Sequence, residues 1–99
     1  MLIHAVYLWL KADTDATTRA AFAADCRGLL QIPTIAHGWS GTPATTRDAV
    51  IVHDYDHALM LHFADLAAHD AYQVHPLHAA FVTRYTPHFA RVKVYDMEA

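Results

Sequence analysis

The segment LIHAVYLWL, residues 2–10, is apolar at nearly every position, which favours a buried β-strand. Successive side chains of a strand point to opposite faces. One face then carries a histidine among aliphatic side chains, namely Leu2, His4, Val6, Leu8 and Leu10. The opposite face carries Ile3, Ala5, Tyr7 and Trp9. A strand that is apolar on both faces is usually covered on both sides, so this segment predicts a strand within a packed sheet.

A helix is predicted directly after this strand. Asp13, Thr14 and Asp15 supply capping side chains and negative charge where a helix begins. The apolar side chains that follow recur at helical spacing as far as about Leu30, and Pro33 ends the segment. Its predicted apolar stripe comprises Phe22, Cys26 and Leu29 or Leu30.

Two strands are predicted in the middle of the chain. The first is short, from Ile35 to Ser40, and the Gly-, Pro- and Thr-containing stretch 41–48 reads as a loop. The second, from Tyr55 to Phe63, alternates clearly. Its two faces are predicted to be Tyr55, His57, Leu59, Leu61 and Phe63 on one side, and Asp56, Ala58, Met60 and His62 on the other.

The last third of the chain predicts a broken helix and a final strand. Asp65 is suited to cap a helix that runs to about Val74, and Pro76 interrupts it because proline disfavours helical geometry in the preceding residue. Pro76 is also well suited to open the next helix, which Pro87 bends or ends. Residues 92–97 then alternate as a strand.

The predicted order is therefore β-α-β-β-α-β, which is the split βαβ pattern of an α+β, ferredoxin-like fold. It implies a four-stranded antiparallel sheet with helices on one face. The other face would be strongly apolar, which is improbable for a soluble monomer. We therefore predict a homodimer in which this face is buried. Its residues are Ile3, Tyr7, Trp9, Met60 and Tyr95. The alternative is that long side chains such as Lys93 cover the patch.

Composition excludes several classes of protein. Of the 99 residues, 55% are hydrophobic and 17% are charged, which is too apolar for a disordered chain and fits one domain, residues 1–99. The net charge of -3 and the absence of a basic run argue against nucleic-acid binding. The apolar start is far shorter than the roughly 20 residues of a membrane span. Cys26 is the only cysteine, so no internal disulfide or CxxC site is possible. We expect a cytoplasmic protein that binds no membrane.

Nine histidines are the unusual feature of the composition, and several fall in segments that together resemble a known family. The chain resembles the stress-responsive A/B barrel family, known as Dabb domains, along nearly its whole length. Four segments carry the resemblance: the first strand with His4, the sequence Tyr55-Asp56-His57, the break His75-Pro76-Leu77-His78, and VKVYDME at residues 92–98. The resemblance implies ferredoxin-like dimers whose two sheets close into a barrel.

The resemblance also implies a pocket and roles for its residues. The family includes plant polyketide cyclases that close a ring by aldol chemistry, and their catalytic tyrosine and histidine fall on Tyr72 and His78. Their further pocket residues fall on His4, His57 and Phe81. We add His75 as a candidate substrate-binding residue, although it is equally suited to satisfy the backbone at the helix break. Asp25 and Gln73 depart from the cyclase pattern and predict a more polar pocket.

Several functions are compatible with these residues. The first is a homodimer that binds a small hydrophobic or carbonyl ligand without catalysis. The alternative is a cofactor-independent cyclase or lyase-like enzyme, in which His78 is the base and Tyr72 holds the developing oxyanion. A metal site is disfavoured because Pro76 interrupts the spacing of the neighbouring histidines and no HExxH pattern occurs. Its ligands would come from His4, His57, His75 and His78. No cofactor is predicted, and His53, His69 and His88 are expected to be solvated.

Overall fold

The computed structural model describes residues 1–99, and its sheet is antiparallel with four strands in the order β2-β3-β1-β4. The fold class predicted from the sequence is confirmed. The strands are β1 (Leu2–Leu10), β2 (His37–Gly41), β3 (His57–Phe63) and β4 (Phe89–Glu98). The helices are α1 (Ala16–Gly28), α2 (Leu66–Gln73) and α3 (Pro76–Tyr85). Short 3₁₀ turns, Leu29–Gln31 and Thr86–His88, follow α1 and α3.

The helices begin where capping chemistry predicts. Asp15 accepts a hydrogen bond from the Thr18 backbone N–H, and Asp65 does the same for Ala68. Pro76 is the first residue of α3, where the missing N–H is not needed. The break at His75-Pro76 therefore makes α2 and α3 two separate helices.

Strand β1 lies in the centre of the sheet, and its register fixes the neighbours of its histidine. His4 is paired with Leu61 of β3 on one side and with Asp96 of β4 on the other. The His4 side chain points to the helical side, as the alternation predicts. It is buried, as are its neighbours on the same face of β1, namely Leu2, Val6, Leu8 and Leu10.

The core fills the space between the sheet and α1, α2 and α3. Phe22 of α1 is its aromatic centre, with ring centroids 5.0 Å from Tyr85, 5.8 Å from Phe81 and 6.0 Å from Phe89. The predicted stripe of α1 is confirmed, because Phe22, Cys26 and Leu29 are all buried.

Strand β3 begins at His57, two residues later than predicted, and the sequence-based placement of Tyr55 is wrong. The Tyr55 ring packs on the open face, 5.1 Å from Tyr7 and 6.3 Å from Trp9 between centroids. The cause is local. Asp56 leaves the strand geometry and its carboxylate accepts a hydrogen bond from the backbone N–H of Leu10. The alternation therefore does not extend back to Tyr55. Strand β2 also starts late, at His37 rather than Ile35.

The face of the sheet opposite the helices carries large apolar side chains that are only partly covered. Tyr95 is 63% exposed and Met60 is 36% exposed. A hollow of ≈ 600 Å³ lies on this face, with Lys93 on its wall. The Arg91 guanidinium lies 4.7 Å from the Trp9 ring, so part of the cover comes from arginine rather than from Lys93 alone. None of the helices has the length and apolar character needed to cross a bilayer.

Candidate functional site

A cavity of ≈ 290 Å³ lies between the helices and the sheet and contains most of the predicted site. Aliphatic and aromatic side chains form most of its wall. These are Val6, Leu8, Leu29, Leu59, Phe81, Val82, Phe89, Val92 and Val94. Its polar groups come from His4, Tyr72, Gln73, His78 and Asp96. The cavity meets solvent on one side, which is marked by the exposed Val82 of α3 and by the exposed Val92 and Val94 of β4.

Tyr72 enters this cavity from the last turn of α2. Its side chain is 2% exposed, and its ring packs 5.3 Å from Phe63 and 5.9 Å from His4 between centroids. Burial raises the pKa of the Tyr72 phenol well above its usual value, so the hydroxyl stays protonated near neutral pH. Tyr72 therefore supplies a hydrogen-bond donor at the cavity wall.

His78 enters from the first turn of α3, and its ring centroid lies 4.6 Å from that of Tyr72. Its Nδ1 lies 3.0 Å from the backbone carbonyl oxygen of Gln73. Because a carbonyl oxygen only accepts hydrogen bonds, Nδ1 is the protonated nitrogen, and Nε2 keeps the lone pair. Burial lowers the pKa of His78, against the opposing effect of this carbonyl. The imidazole is thus a neutral base near pH 7.

The buried His4 forms a hydrogen bond with the partly exposed Asp96 across β1 and β4, from Nδ1 to a carboxylate oxygen at 2.5 Å. Burial lowers the pKa of His4 although the Asp96 carboxylate acts in the opposite direction. Asp96 was not predicted as a site residue. Alternation indicates only its face, because Val92, Val94 and Asp96 share the side of β4 that borders the cavity.

His69 was expected to be solvated, and that expectation is wrong. Its side chain is 12% exposed, and its ring centroid lies 5.0 Å from that of His4. The signal in the sequence was its helical spacing from Tyr72, because residues three apart lie on the same side of a helix. His53, in contrast, is exposed.

Two predicted pocket histidines do not line this cavity. The buried His57 hydrogen-bonds through Nε2 to the Ser40 hydroxyl at 2.6 Å, and its ring packs 5.8 Å from Phe22. Its strand position is right, but its side chain is not part of the cavity wall. His75 caps α3, where its Nδ1 accepts a hydrogen bond from the Leu77 N–H. Phe81 does line the cavity, as predicted.

The two departures from the cyclase pattern have different positions. Gln73 lies on the cavity wall, as expected. Asp25 does not, because its carboxylate accepts hydrogen bonds from the Tyr85 hydroxyl at 2.5 Å and from Arg84 at 2.8 Å on the other side of α3. The expected increase in pocket polarity therefore comes from Gln73 alone.

The histidines considered as metal ligands do not converge as a group of four, since His57 and His75 have other partners. A different set does converge. One potential ligand atom each from His4, His69 and Asp96 lies within 4.8 Å of the other two.

Solved structures with this fold come from bacteria and plants. A Dabb family protein with a ferredoxin-like fold from Mesorhizobium loti has a TM-score of 0.78 at 27% identity, covering 99% of this chain and 95% of that one. A dimeric ferredoxin-like protein of unknown function from Thermobifida fusca has a TM-score of 0.79 at 18% identity, with 99% and 90% covered. The hydroxynitrile lyase from Passiflora edulis has a TM-score of 0.78 at 20% identity, with 97% and 90% covered.

No curated protein matches the chain in sequence. The family model of the stress-responsive A/B barrel domain, in contrast, matches residues 2–99. This match spans both the sheet and the helices that enclose the cavity. The chain therefore belongs to the stress-responsive A/B barrel domain family, Dabb.

Proposed function

We propose that the cavity between helices and sheet binds a small, mainly apolar ligand that carries a carbonyl group. The observation that supports this most directly is the pair formed by Tyr72 and His78, which both line the cavity with rings 4.6 Å apart. A mostly apolar wall with a few convergent polar groups is typical of small-molecule sites. The Tyr72 hydroxyl is suited to donate a hydrogen bond to the ligand oxygen.

The volume limits the size of this ligand. The ≈ 290 Å³ of the cavity is at the lower end of the range for ligand sites. It corresponds to the volume of roughly ten water molecules. We expect a compact ligand of about that many heavy atoms, such as a small aryl or alkyl ketone. The long alkyl tail of a polyketide would extend beyond this volume.

A second candidate function is acid–base catalysis on the same ligand, of the kind used by cofactor-independent polyketide cyclases. The hydrogen bond from His78 Nδ1 to the Gln73 carbonyl favours it, because Nε2 is left free to accept a proton. In this reaction Nε2 takes a proton from the carbon next to the carbonyl, while Tyr72 donates a hydrogen bond to the developing enolate oxygen. An aldol closure would follow by attack of that carbon on a second carbonyl, whose C=O π bond opens and whose oxygen takes the proton back from Nε2. The Passiflora hydroxynitrile lyase indicates that this fold can support catalysis.

The functional unit is proposed to be a homodimer that buries the open face of the sheet. The predicted interface comprises Ile3, Tyr7, Trp9, Met60 and Tyr95. Partly exposed aromatic side chains on this face support it, and the Thermobifida fusca relative is described as dimeric. This arrangement leaves the cavity, which is on the helical side, accessible in each subunit.

Ligand binding can be tested by closing the cavity. Val82 is 42% exposed on the cavity wall, so Val82→Trp fills space without enlarging a core residue. Acetophenone and related small ketones are titrated while amide shifts are followed by NMR. We expect saturable shifts around Tyr72 and His78 in the unsubstituted protein and at least a tenfold weaker affinity in Val82→Trp.

The matched control is Val74→Trp, because Val74 is 79% exposed and does not line the cavity. This variant is expected to bind ketones with unchanged affinity. Equal affinity of all three proteins, or no saturable shifts at the cavity, would show that the ligand does not bind there.

A further inference from the structure

We propose that His4, His69 and Asp96 form a binding site for a divalent first-row transition metal ion, of the Zn²⁺ type, at the edge of the cavity. Their ligand atoms lie within 4.8 Å of one another. The three residues come from β1, α2 and β4, which are distant in sequence. The fold therefore brings two imidazoles and one carboxylate to a common point. Metal binding is separate from the proposed ligand binding and does not depend on it.

The distances suit a metal after small side-chain rotations. Ligand atoms about 2.1 Å from a tetrahedral ion are roughly 3.4 Å apart. The His4 Nδ1 and Asp96 oxygen now lie 2.5 Å apart in a hydrogen bond, so they would separate slightly as the ion replaces the shared proton. The His69 ring would rotate inward and exchange its contact with the Gln73 side-chain amide, at 3.3 Å from Nε2, for the ion.

Neighbouring side chains already orient the two imidazoles. The Phe63 ring meets both histidine rings, with centroids 6.2 Å from His4 and 5.5 Å from His69. His69 Nδ1 also hydrogen-bonds to the Asp70 carboxylate at 3.0 Å. A carboxylate that accepts a hydrogen bond from one ring nitrogen while the other nitrogen binds the ion is a common arrangement around metal-binding histidines.

The ligand types select the class of metal. Two imidazoles and a carboxylate suit Zn²⁺, Co²⁺ or Fe²⁺, whereas Mg²⁺ and Ca²⁺ prefer oxygen ligands. The His4 side chain is 5% exposed and that of Asp96 is 47% exposed. The site is therefore buried at His4 and accessible to solvent at Asp96. Three protein ligands leave at least one coordination position free. Because His4 and Asp96 line the cavity, this position would be open to the cavity.

The test uses the full chain, freed of metal with a chelator and titrated with Co²⁺ and Zn²⁺. We expect one tight equivalent of Zn²⁺ per chain by calorimetry and visible absorption bands of four- or five-coordinate Co²⁺. His69→Gln and Asp96→Asn each lose a ligand and should weaken binding at least tenfold. Asp70→Asn, which loses only the orienting carboxylate, should weaken it less.

His53→Gln is the matched control, because His53 is an exposed histidine away from the cluster and loose surface binding would involve it equally. It should retain the tight equivalent and the Co²⁺ bands. His69 and Asp96 are not fully buried, and circular dichroism will establish that their variants remain folded. The proposal is overturned if the chain binds no equivalent at micromolar Zn²⁺, or if folded His69→Gln and Asp96→Asn bind as tightly as the unsubstituted protein.

Discussion

The rings of Tyr72 and His78 lie 4.6 Å apart between centroids although they belong to different helices, separated by the break at Pro76. The backbone carbonyl of Gln73, at the end of α2, accepts the hydrogen bond that fixes the His78 tautomer. The helix break thus determines both the proximity of the two side chains and the nitrogen that is free to act as a base. A continuous helix would provide neither feature.

The first prediction concerns proton transfer by this pair. In D₂O, the protein is expected to accelerate deuterium exchange at the carbon next to the carbonyl of a small ketone, measured by ¹H NMR. His78→Gln removes the base, and Tyr72→Phe removes only the hydroxyl donor while keeping the buried ring. We expect a rate loss of about 10²- to 10⁴-fold for His78→Gln and about 10²-fold for Tyr72→Phe.

His53→Gln serves as the control for this experiment, because the residue is exposed and outside the cavity. It should leave the exchange rate unchanged. If the unsubstituted protein binds the ketone but does not accelerate exchange, the catalytic candidate is wrong and the binding function remains.

The second prediction is a loss of stability at acidic pH, arising from His57 and His78. Burial lowers the pKa of both imidazoles, and the positive charge of Arg27 lowers that of His57 further. The unfolded chain then binds more protons than the folded protein between the folded pKa and about 6.5. The two histidines therefore make their complete contribution to the free energy of unfolding above about pH 6.5. This contribution is lost as the pH falls through the folded pKa.

This loss can be measured by urea denaturation of metal-free protein between pH 7.5 and 5. Each group contributes a slope of at most about 1.4 kcal/mol per pH unit. His78 lies beside the buried His4, whose pKa is also lowered by burial, so the comparison is made with His57→Gln. This variant should be less stable at pH 7.5 but show a weaker pH dependence. An equal slope in both proteins would contradict the assignment to His57.

The sequence predicted most of the scaffold because local chemistry decides it. Capping by Asp15 and Asp65 and the proline at position 76 fixed the helix starts, and the alternation in β1 gave the correct face for His4. His69 and Asp96 were missed because their importance depends on which helix face meets which strand. That is a tertiary relationship. Tyr55 was misplaced for a similar reason. The hydrogen bond from the Leu10 N–H of β1 to the Asp56 carboxylate sets where β3 begins, and this contact joins residues distant in sequence.

The third prediction concerns the hydrogen bond between Tyr85 and Asp25, which joins α3 to α1 at 2.5 Å. Burial raises the pKa of Tyr85 to about 12, and the Asp25 carboxylate contributes in the same direction. Tyr85→Phe keeps the buried ring but removes the donor to a charged acceptor, and should cost about 1–2 kcal/mol in the free energy of unfolding. Arg84→Ala removes the other donor to Asp25. Because this ion pair is exposed, its loss should lower the free energy of unfolding by less than about 1 kcal/mol.

Urea denaturation at pH 7.5 compares these two variants. Because Asp25 lies outside the cavity, neither variant should alter ketone affinity. If Tyr85→Phe is no less stable than the unsubstituted protein, water replaces the hydroxyl at Asp25 and the bond does not hold the helices together.

The last prediction concerns assembly through the open face of the sheet. The molecule measures 36 × 33 × 18 Å, so its broad face exceeds the roughly 800 Å² per partner that a stable interface buries. Met60 and Tyr95 lie on this face, and a carboxylate placed at either position would be buried against the partner's apolar surface without a counter-charge. Met60→Glu and Tyr95→Glu should therefore convert a dimer into folded monomers in sedimentation velocity at micromolar concentration. Val74→Glu, at a 79% exposed position on the helical side, should remain dimeric.

A monomeric unsubstituted protein would exclude the interface, and dimers that survive both substitutions would place it on another surface. Since the cavity lies on the helical side, the monomeric variants should still bind small ketones, which separates assembly from ligand binding.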